Sequence, residues 1–147
     1  MEFALSEDQK MLQDSIVGTL ANISDLDAVR LVAAGDTDAT GISNGLGELG
    51  TSQLLVPEVY DGLGLSALDA ALGQEALGHH VSPAHFFASS AVAVTALMAG
   101  GNEAARAEWL SKVASGEVRL AVALTEAVNR REDAGIIEDG GRLSGKA

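Results

Sequence analysis

Apolar residues recur every three or four positions over most of the first 116 residues, but every second position near the end of the chain. The first spacing is typical of helices that bury one face, and the second is typical of a strand. The strand-like positions are Val118, Leu120, Val122 and Leu124. The sequence therefore predicts an all-α domain over residues 1–116, followed over residues 117–147 by the opening strands of an incomplete β domain.

The helical part divides into about six segments, which are separated by capping residues, prolines and glycines. Serine, aspartate and asparagine favour helix starts because their side chains accept hydrogen bonds from the first backbone N–H groups. The predicted starts are Ser6 with Gln9, Ser24 with Asp27, Ser66 with Asp69, Ser82 before Pro83, and Asn102, and a further short helix covers Ile42 to Leu49. Spacing also predicts the inward residues of two helices: Leu65, Leu68, Leu72 and Ala76 in the fourth, and Ala105, Trp109, Leu110 and Val113 in the sixth.

The last thirteen residues, Gly135 to Ala147, have the pattern of a short hairpin. Its centre is Asp139-Gly140-Gly141, and glycine suits a tight turn that needs positive φ. A single hairpin cannot bury a core of its own. We therefore expect the rest of the β domain to be absent or to be supplied by another chain.

Composition narrows the class of protein. Ala, Leu and Val dominate the 47% hydrophobic content, and only 3% of the residues are aromatic, which favours close-packed helices. The formal charge of −12, with no basic run longer than Arg130-Arg131, argues against nucleic acid as a partner. Without cysteine, the chain forms neither disulfides nor thiolate zinc sites. The first ten residues lack a signal-peptide pattern, so a cytoplasmic location is expected. The apolar stretch Phe86 to Ala99 is too short for a membrane span.

Two motifs have simpler explanations than a ligand site. Residues Gly45 to Gly50 match the dinucleotide pattern G-x-G-x-x-G, but that motif needs a strand before its first glycine and a helix after its last. Here a short helix precedes the last glycine, so a helix end is predicted. His79, His80 and His85 have no cysteine or carboxylate at ligand spacing on the same helix face. No metal site is therefore assigned.

Several segments, taken in order, resemble the acyl-CoA dehydrogenase family. The similarity extends over essentially all 147 residues, and it rests on the joint order and spacing of weak individual pieces. These pieces are the leading L-S-E-D-Q-K, residues Leu46 to Gly50, residues Leu55 to Gly64, Glu75 to Gly78, Trp109-Leu110 to Gly116-Glu117, and Ala123-Leu124-Thr125-Glu126.

The resemblance implies a function. Family members have a helical N-terminal domain, a middle β domain and a C-terminal four-helix bundle, and they oxidise the α,β carbons of an acyl-CoA thioester with FAD. It further implies that the helices wall the acyl pocket and that Val122, Leu124 and Thr125 contact the flavin. The catalytic base lies in the C-terminal region of the family, so no catalytic residue is assigned and the 147-residue chain alone is expected to be inactive.

One departure from the family keeps a second function open. Where the family continues T-E-P-G-x-G-S-D, this chain has Thr125-Glu126-Ala127-Val128-Asn129-Arg130-Arg131-Glu132-Asp133, without the proline, the glycines and the serine. Glycines there let backbone N–H groups reach the cofactor. The chain is therefore either part of a flavin-dependent dehydrogenase or a non-catalytic subunit that stabilises a catalytic homologue. Both alternatives imply a homo- or hetero-oligomer with acyl-CoA dehydrogenase subunits.

Overall fold

Six α-helices and one hairpin make up the parts of the chain that this computed structural model describes, residues 4–100, 102–122 and 135–146. The helices are α1 (Glu7–Ile23), α2 (Leu26–Ala34), α3 (Thr40–Glu48), α4 (Ala67–His79), α5 (Val94–Ala99) and α6 (Glu103–Ala114). Two 3-10 turns, Thr51–Gln53 and Glu58–Tyr60, lie between α3 and α4, and a π-wound helix, Phe86–Ala93, leads directly into α5. The strands are β1 (Gly135–Asp139) and β2 (Arg142–Lys146). The predicted fold class, about six packed helices followed by the start of a β domain, is confirmed.

Of the four helices with side-chain caps in the described residues, three start where the sequence predicts them. Ser6 and Gln9 form a reciprocal capping box at α1, and Ser66 and Asp69 form another at α4. The exception is α2, which is capped by Asp25 through the Ala28 N–H at 2.8 Å and not by Ser24. Ser24 is buried and ends α1, because its own N–H still donates to the Leu20 carbonyl.

The fifth helical segment begins later than predicted. Ser82 and Pro83 do not start it, since the chain turns sharply after α4: Val81 has φ 51° and the Ser82 N–H donates to the Leu77 carbonyl. Val81 is 61% exposed and does not staple to Phe86. The helix starts at Phe86 instead, in a π-wound stretch.

Two apolar clusters form the core. The first joins α1, α3 and α4 to the π-wound helix, and the second joins α6 to α5 and to the segment before the second 3-10 turn. The first consists of Ile16, Leu20, Ile42, Leu46, Leu54, Ala70, Ala76, Leu77 and Phe86, and the second of Val56, Val94, Leu110, Val113 and Ala114. Leu55 packs against both clusters, so it links the two halves of the helical domain.

The predicted inward face of α4 is partly wrong. Leu72 and Ala76 are buried, but Leu65 and Leu68 are 41% and 53% exposed. Small residues take the inner positions because α1 approaches closely: a Cβ on Gly73 would lie 3.4 Å from Ile16 Cδ1. Which residues of α4 enter the core is therefore decided by the space available beside α1 as well as by hydrophobicity.

The hairpin forms as predicted. Asp139 pairs with Arg142 across a two-residue turn, in which Gly140 and Gly141 have φ 57° and 78°. The strand predicted from Val118 is not seen over residues 118–122, which pair with no strand in the described parts of the chain. Leu124 lies outside the described residues. In residues 4–100, 102–122 and 135–146, no helix has the length and apolar character that crossing a bilayer demands.

Asp69 is expected to make the stability of this fold depend on acid pH. The Ser66 hydroxyl and then the Gln9 amide, at 3.1 Å, hydrogen bond to its carboxylate and hold its pKa below the ordinary value of 3.8. The carboxylate therefore stabilises the fold above that value, and the contribution is lost as the pH falls through the folded pKa. We expect Asp69→Asn to lower the free energy of unfolding at pH 7 by roughly 1 kcal/mol. Urea unfolding from pH 7 to pH 2 measures this.

The matched control is Asp36→Asn, which removes an exposed carboxylate from the loop after α2. The gap between Asp69→Asn and the unmodified protein should close as the pH approaches 2, whereas Asp36→Asn should follow the unmodified protein throughout. A constant gap at all pH values would mean that the charge of Asp69 is not what stabilises the helix start.

Candidate functional site

Val122 is the one predicted flavin-contacting residue that the structure describes; Leu124 and Thr125 lie outside the described residues. Val122 is half-buried and lines an apolar groove of about 340 Å³ between α5, α6 and residues 120–122. We call this the Trp109 groove, and its lining is Ala93, Ala96, Leu97, Gly100, Asn102, Ala105, Trp109, Leu120, Ala121 and Val122. Arg130 and Arg131 also lie outside the described residues.

Trp109 forms part of this groove and is not an inward core residue. Leu110 and Val113, with 0% and 1% exposure, enter the core from α6, as predicted, and so does Ala114. Trp109 and Ala105 are half-buried, and the ammonium of Lys112 lies 4.8 Å from the centre of the indole ring. A cation over an aromatic face is a modest attraction at an exposed site. The correction follows from helix geometry, because neighbouring residues of one helix point about 100° apart.

A second surface lies on the π-wound helix and α5. Phe87 is 61% exposed, Ala88 and Thr95 are exposed, and Ala91 and Val92 are half-buried. We call these five residues the Phe87 face. The other side of the same segment is buried, through Phe86, Ser89, Ser90 and Ala93. The Phe87 face is thus an open wall of mostly small apolar side chains held on a rigid helix.

A third feature is a polar cavity of about 390 Å³, lined by α3, the π-wound helix and the chain from Val113 to Arg119. We call it the Arg119 cavity. The Arg119 guanidinium donates to Thr40 Oγ1 at 3.3 Å and to Asn44 Oδ1 at 2.8 Å. Nearby, the Thr40 N–H bonds the Asp38 carboxylate and holds the pKa of Asp38 below its usual value, and the charge of Arg119 adds to this effect. Sequence reasoning missed this cavity; the available signal was a single basic residue inside the alternating apolar run.

Residues 118–122, which follow the last helix, pass between the Arg119 cavity and the Trp109 groove. Val118 and Arg119 line the cavity, while Leu120, Ala121 and Val122 line the groove. The Leu120 N–H donates to the buried Ser89 hydroxyl at 3.1 Å, and the Val118 N–H donates to the Lys112 carbonyl at 3.2 Å. These bonds fix the direction in which the chain leaves the helices toward residue 123.

The dinucleotide-like glycine motif and the histidines make structural contacts in the described residues. Gly45 belongs to α3 and packs so closely that an added Cβ would lie 2.7 Å from Ile23 Cδ1, and Gly50 follows the helix with φ 85°. The rings of His79 and His80 are tilted by 59° to one another with centres 5.6 Å apart, and the described residues contain no group of three potential metal ligands.

Comparison with known proteins identifies relatives of the helical part. The family model for the acyl-CoA dehydrogenase N-terminal domain matches residues 6–117. A curated relative, (2S)-methylsuccinyl-CoA dehydrogenase of Cereibacter sphaeroides, is 33% identical over 86 residues, which are 58% of this chain and 16% of that protein. The chain therefore spans a small part of the relative that it matches.

Several solved structures are also similar to this chain. The Tcur3481-Tcur3483 steroid ACAD matches with a TM-score of 0.74 and 26% identity over 95% of this chain and 40% of that one. The electron transferring flavoprotein of Acidaminococcus fermentans matches with a TM-score of 0.67 and 26% identity over 81% of this chain and 32% of that one. The ChsE4-ChsE5 complex from Mycobacterium tuberculosis, with a TM-score of 0.70, 20% identity, and coverage of 95% and 37%, supports the fold alone.

Proposed function

The chain belongs to the acyl-CoA dehydrogenase family, because residues 6–117 match the family's N-terminal domain, and we propose that it forms part of a flavin-dependent enzyme that oxidises the α,β carbons of an acyl-CoA thioester. The single observation that carries this proposal is the Phe87 face, because it is the kind of surface that an acyl pocket needs. The rest of that pocket, and the base that removes the α-proton, would come from other parts of the complete protein.

The Phe87 face suits a hydrocarbon chain for physical reasons. Phe87, Ala88 and Val92 offer apolar contact, and their burial by an acyl group would stabilise the complex by roughly 25 cal/mol per Å² of apolar surface. The small side chains of Ala88 and Ala91 leave room for a ligand beside the helix. Because the opposite side of the helix is packed into the core, the wall would not move when a substrate binds.

The Trp109 groove fits the edge of a flavin. Val122 is half-buried beside Ala121 and the indole of Trp109, so the backbone of residues 121 and 122 borders an apolar surface that an aromatic ring system can cover. We propose that Val122, Leu124 and Thr125 contact FAD in the complete protein. When bound, FAD supplies the acceptor for the hydride that leaves the β-carbon. This chain would contribute the position of the flavin and not the proton transfer.

A second function remains in view because the loop after Thr125 lacks the glycines and the serine of the family. Arg130 and Arg131 stand there, and side chains of that size fill space that a backbone N–H cradle needs. In this alternative the chain is a non-catalytic subunit that stabilises a catalytic homologue. Large apolar side chains exposed on α1 and α2, namely Met11, Leu26 and Leu31, offer a surface for such an assembly.

The two functions differ in flavin content and in turnover. We expect the 147-residue chain alone to be colourless, and the complete protein or complex that contains it to reduce an artificial electron acceptor with acyl-CoA. Ala88→Trp, which places a large ring on the Phe87 face, should lower that activity about tenfold or more, because it fills the pocket wall. Flavin absorbance and steady-state acyl-CoA oxidation are the measurements.

The matched control is Ala71→Trp, a substitution at an exposed position of α4. It should leave the activity unchanged. Equal activity in Ala88→Trp and Ala71→Trp would rule out the Phe87 face as an acyl wall. An assembly with less than one flavin for each copy of this chain, in which a partner subunit accounts for all of the flavin, would favour the non-catalytic alternative.

A further inference from the structure

The Arg119 cavity contains a positive charge that the neighbouring residues do not neutralise by contact. In the described ranges, the ion pairs join Lys10 to Glu7, Arg30 to Asp27, Arg106 to Glu103, and Lys112 to Glu108, and none includes Arg119. Among the described residues its two hydrogen-bond acceptors are neutral oxygens, those of Thr40 and Asn44, while the nearby Asp38 carboxylate interacts with it only through charge. A guanidinium has five N–H donors, so three remain for a ligand. In a chain with a formal charge of −12, a positive group held in this way marks a site for an anion.

A histidine at the same cavity adds a second donor. Ser43 Oγ accepts a hydrogen bond from the His85 backbone N–H at 3.3 Å and lies 3.0 Å from His85 Nδ1. Since the Ser43 hydroxyl proton is not engaged by that backbone N–H, it can be donated to Nδ1, and the other ring nitrogen, Nε2, then carries the proton. His85 is therefore fixed at its Nδ1 side and offers an N–H on the other.

Two buried hydroxyls complete the set of donors. Ser89 and Ser90 both line the cavity and are only 5% and 7% exposed. Ser89 Oγ accepts the Leu120 N–H, which leaves its own proton without an acceptor in the described structure. The hydroxyls of Ser89 and Ser90 are therefore placed to donate to a ligand oxygen in the cavity.

The lining also includes apolar residues, and these help to determine what kind of anion fits. Ala84, Val113 and Val118 contribute hydrocarbon surface, and the volume of about 390 Å³ lies within the roughly 300–1,000 Å³ range of small-molecule sites. A bare oxyanion would leave much of that space and the apolar surface uncovered. The acidic residue in the lining, Glu48, and Arg119 are both exposed, so water screens both the repulsion and the attraction that an anion meets there.

We propose that the Arg119 cavity is a binding site for a small organic acid, whose carboxylate bonds the Arg119 guanidinium and whose hydrocarbon part covers Ala84, Val113 and Val118. Ser89, Ser90 and His85 donate to the carboxylate oxygens or to a polar substituent of the acid. The site is separate from the Phe87 face and needs no flavin. It therefore stands or falls independently of the proposed dehydrogenase function.

Hexanoate is the probe, and hexan-1-ol and inorganic phosphate are its matched controls. Hexanol keeps the hydrocarbon and lacks the charge, whereas phosphate keeps the charge and lacks the hydrocarbon. We expect saturable binding of hexanoate to the full chain, followed by the NMR signals of the His85 ring, and at least about tenfold weaker binding of both controls. Phosphate binding as tight as that of hexanoate would overturn the assignment to an organic acid, and hexanol binding as tight would overturn the role of Arg119.

Substitutions separate the site from general charge attraction. Arg119→Met should weaken hexanoate binding about tenfold or more, Arg119→Lys should weaken it less, and Arg30→Met, which removes a surface arginine from α2, should leave it unchanged. Ser90→Ala provides a second variant if Arg119→Met unfolds, and it should weaken binding severalfold while the circular dichroism spectrum stays the same. Equal weakening by Arg30→Met and Arg119→Met, or no saturable binding to the unmodified chain, would contradict the proposal.

Discussion

Gly62→Ala is expected to unfold much of the helical domain, with a loss of about 3 kcal/mol or more in the free energy of unfolding. Gly62 lies in the loop between the second 3-10 turn and α4, where a Cβ would overlap the backbone carbonyl of Val56. The clash is with main-chain atoms, so no side-chain rotation relieves it. Val56 is itself fully buried in the second apolar cluster, so any shift of its backbone disturbs that core.

The close approach at Gly62 is required by the hydrogen bonds of the two residues that follow it. The Leu63 N–H donates to the Gln53 carbonyl at 2.9 Å, and the Gly64 N–H donates to the Val56 carbonyl at 2.8 Å. These bonds return the chain alongside residues 53–56 before α4 starts. An alanine at position 62 would have to break one of them or push Val56 out of the core.

Gly18→Ala is the matched control, because it makes the same chemical change in open space. Gly18 lies inside α1, and an added Cβ would meet no atom within 4 Å. Alanine there should raise the free energy of unfolding by about 0.5–1 kcal/mol, since glycine weakens a helix interior. Thermal and urea unfolding of both variants measure the difference. If Gly62→Ala unfolds within about 0.5 kcal/mol of the unmodified chain, the loop does not pack against Val56 as described.

The start of a helix could be predicted well from sequence, because its cause is local. Ser6 with Gln9, and Ser66 with Asp69, form capping boxes whose members lie three residues apart, so the signal is contained in four residues. The turn at Gly140-Gly141 is local in the same way. The predicted cap at Ser24 was wrong and Asp25 caps α2 instead, because the start of α2 depends on where α1 ends.

The inward faces were less predictable, because burial depends on which neighbour arrives. Leu65, just before α4, and Leu68 within it are hydrophobic but exposed, while Ala70 and Gly73 are buried, since α1 packs close enough there to need small residues. The Arg119 cavity could not be predicted either, because it also depends on contacts between distant parts of the chain. It brings Arg119 to Thr40 and Asn44, more than seventy positions away, and no local pattern signals such a contact.

The predicted flavin contacts stay predictions, and the structure describes only one of the three residues, Val122. Its place beside Trp109 follows from two long-range features: the bond from the Leu120 N–H to Ser89, and the turn of α6 that points the indole toward α5. Sequence alternation correctly placed Val118 and Leu120 against apolar surface, since both pack on the second cluster. It could not show that these residues make no strand pairing in the described parts of the chain.

Leu110→Ala is expected to destabilise the protein more than Trp109→Ala, although tryptophan is the larger residue. Leu110 is fully buried in the second cluster with Val56, Val94 and Val113, so its truncation leaves a cavity that these rigid neighbours cannot fill. We expect a loss of about 3–5 kcal/mol in the free energy of unfolding. Trp109 is half-buried at an open groove, so solvent can take the place of its ring, and a loss of about 1–2 kcal/mol is expected.

Urea unfolding of the two variants measures which one loses more stability. The unfolding is monitored by circular dichroism, because loss of the tryptophan does not remove that signal. Leu110→Met, which nearly conserves volume, serves as the control and should cost less than about 1.5 kcal/mol. The order also bears on function: because Trp109 contributes little to the fold, its ring is available to border the flavin beside Val122. We therefore expect Trp109→Ala to weaken flavin binding in the complete protein, while the free energy of unfolding falls by only about 1–2 kcal/mol. A larger stability loss for Trp109→Ala than for Leu110→Ala would place the indole in the core and remove it from the groove.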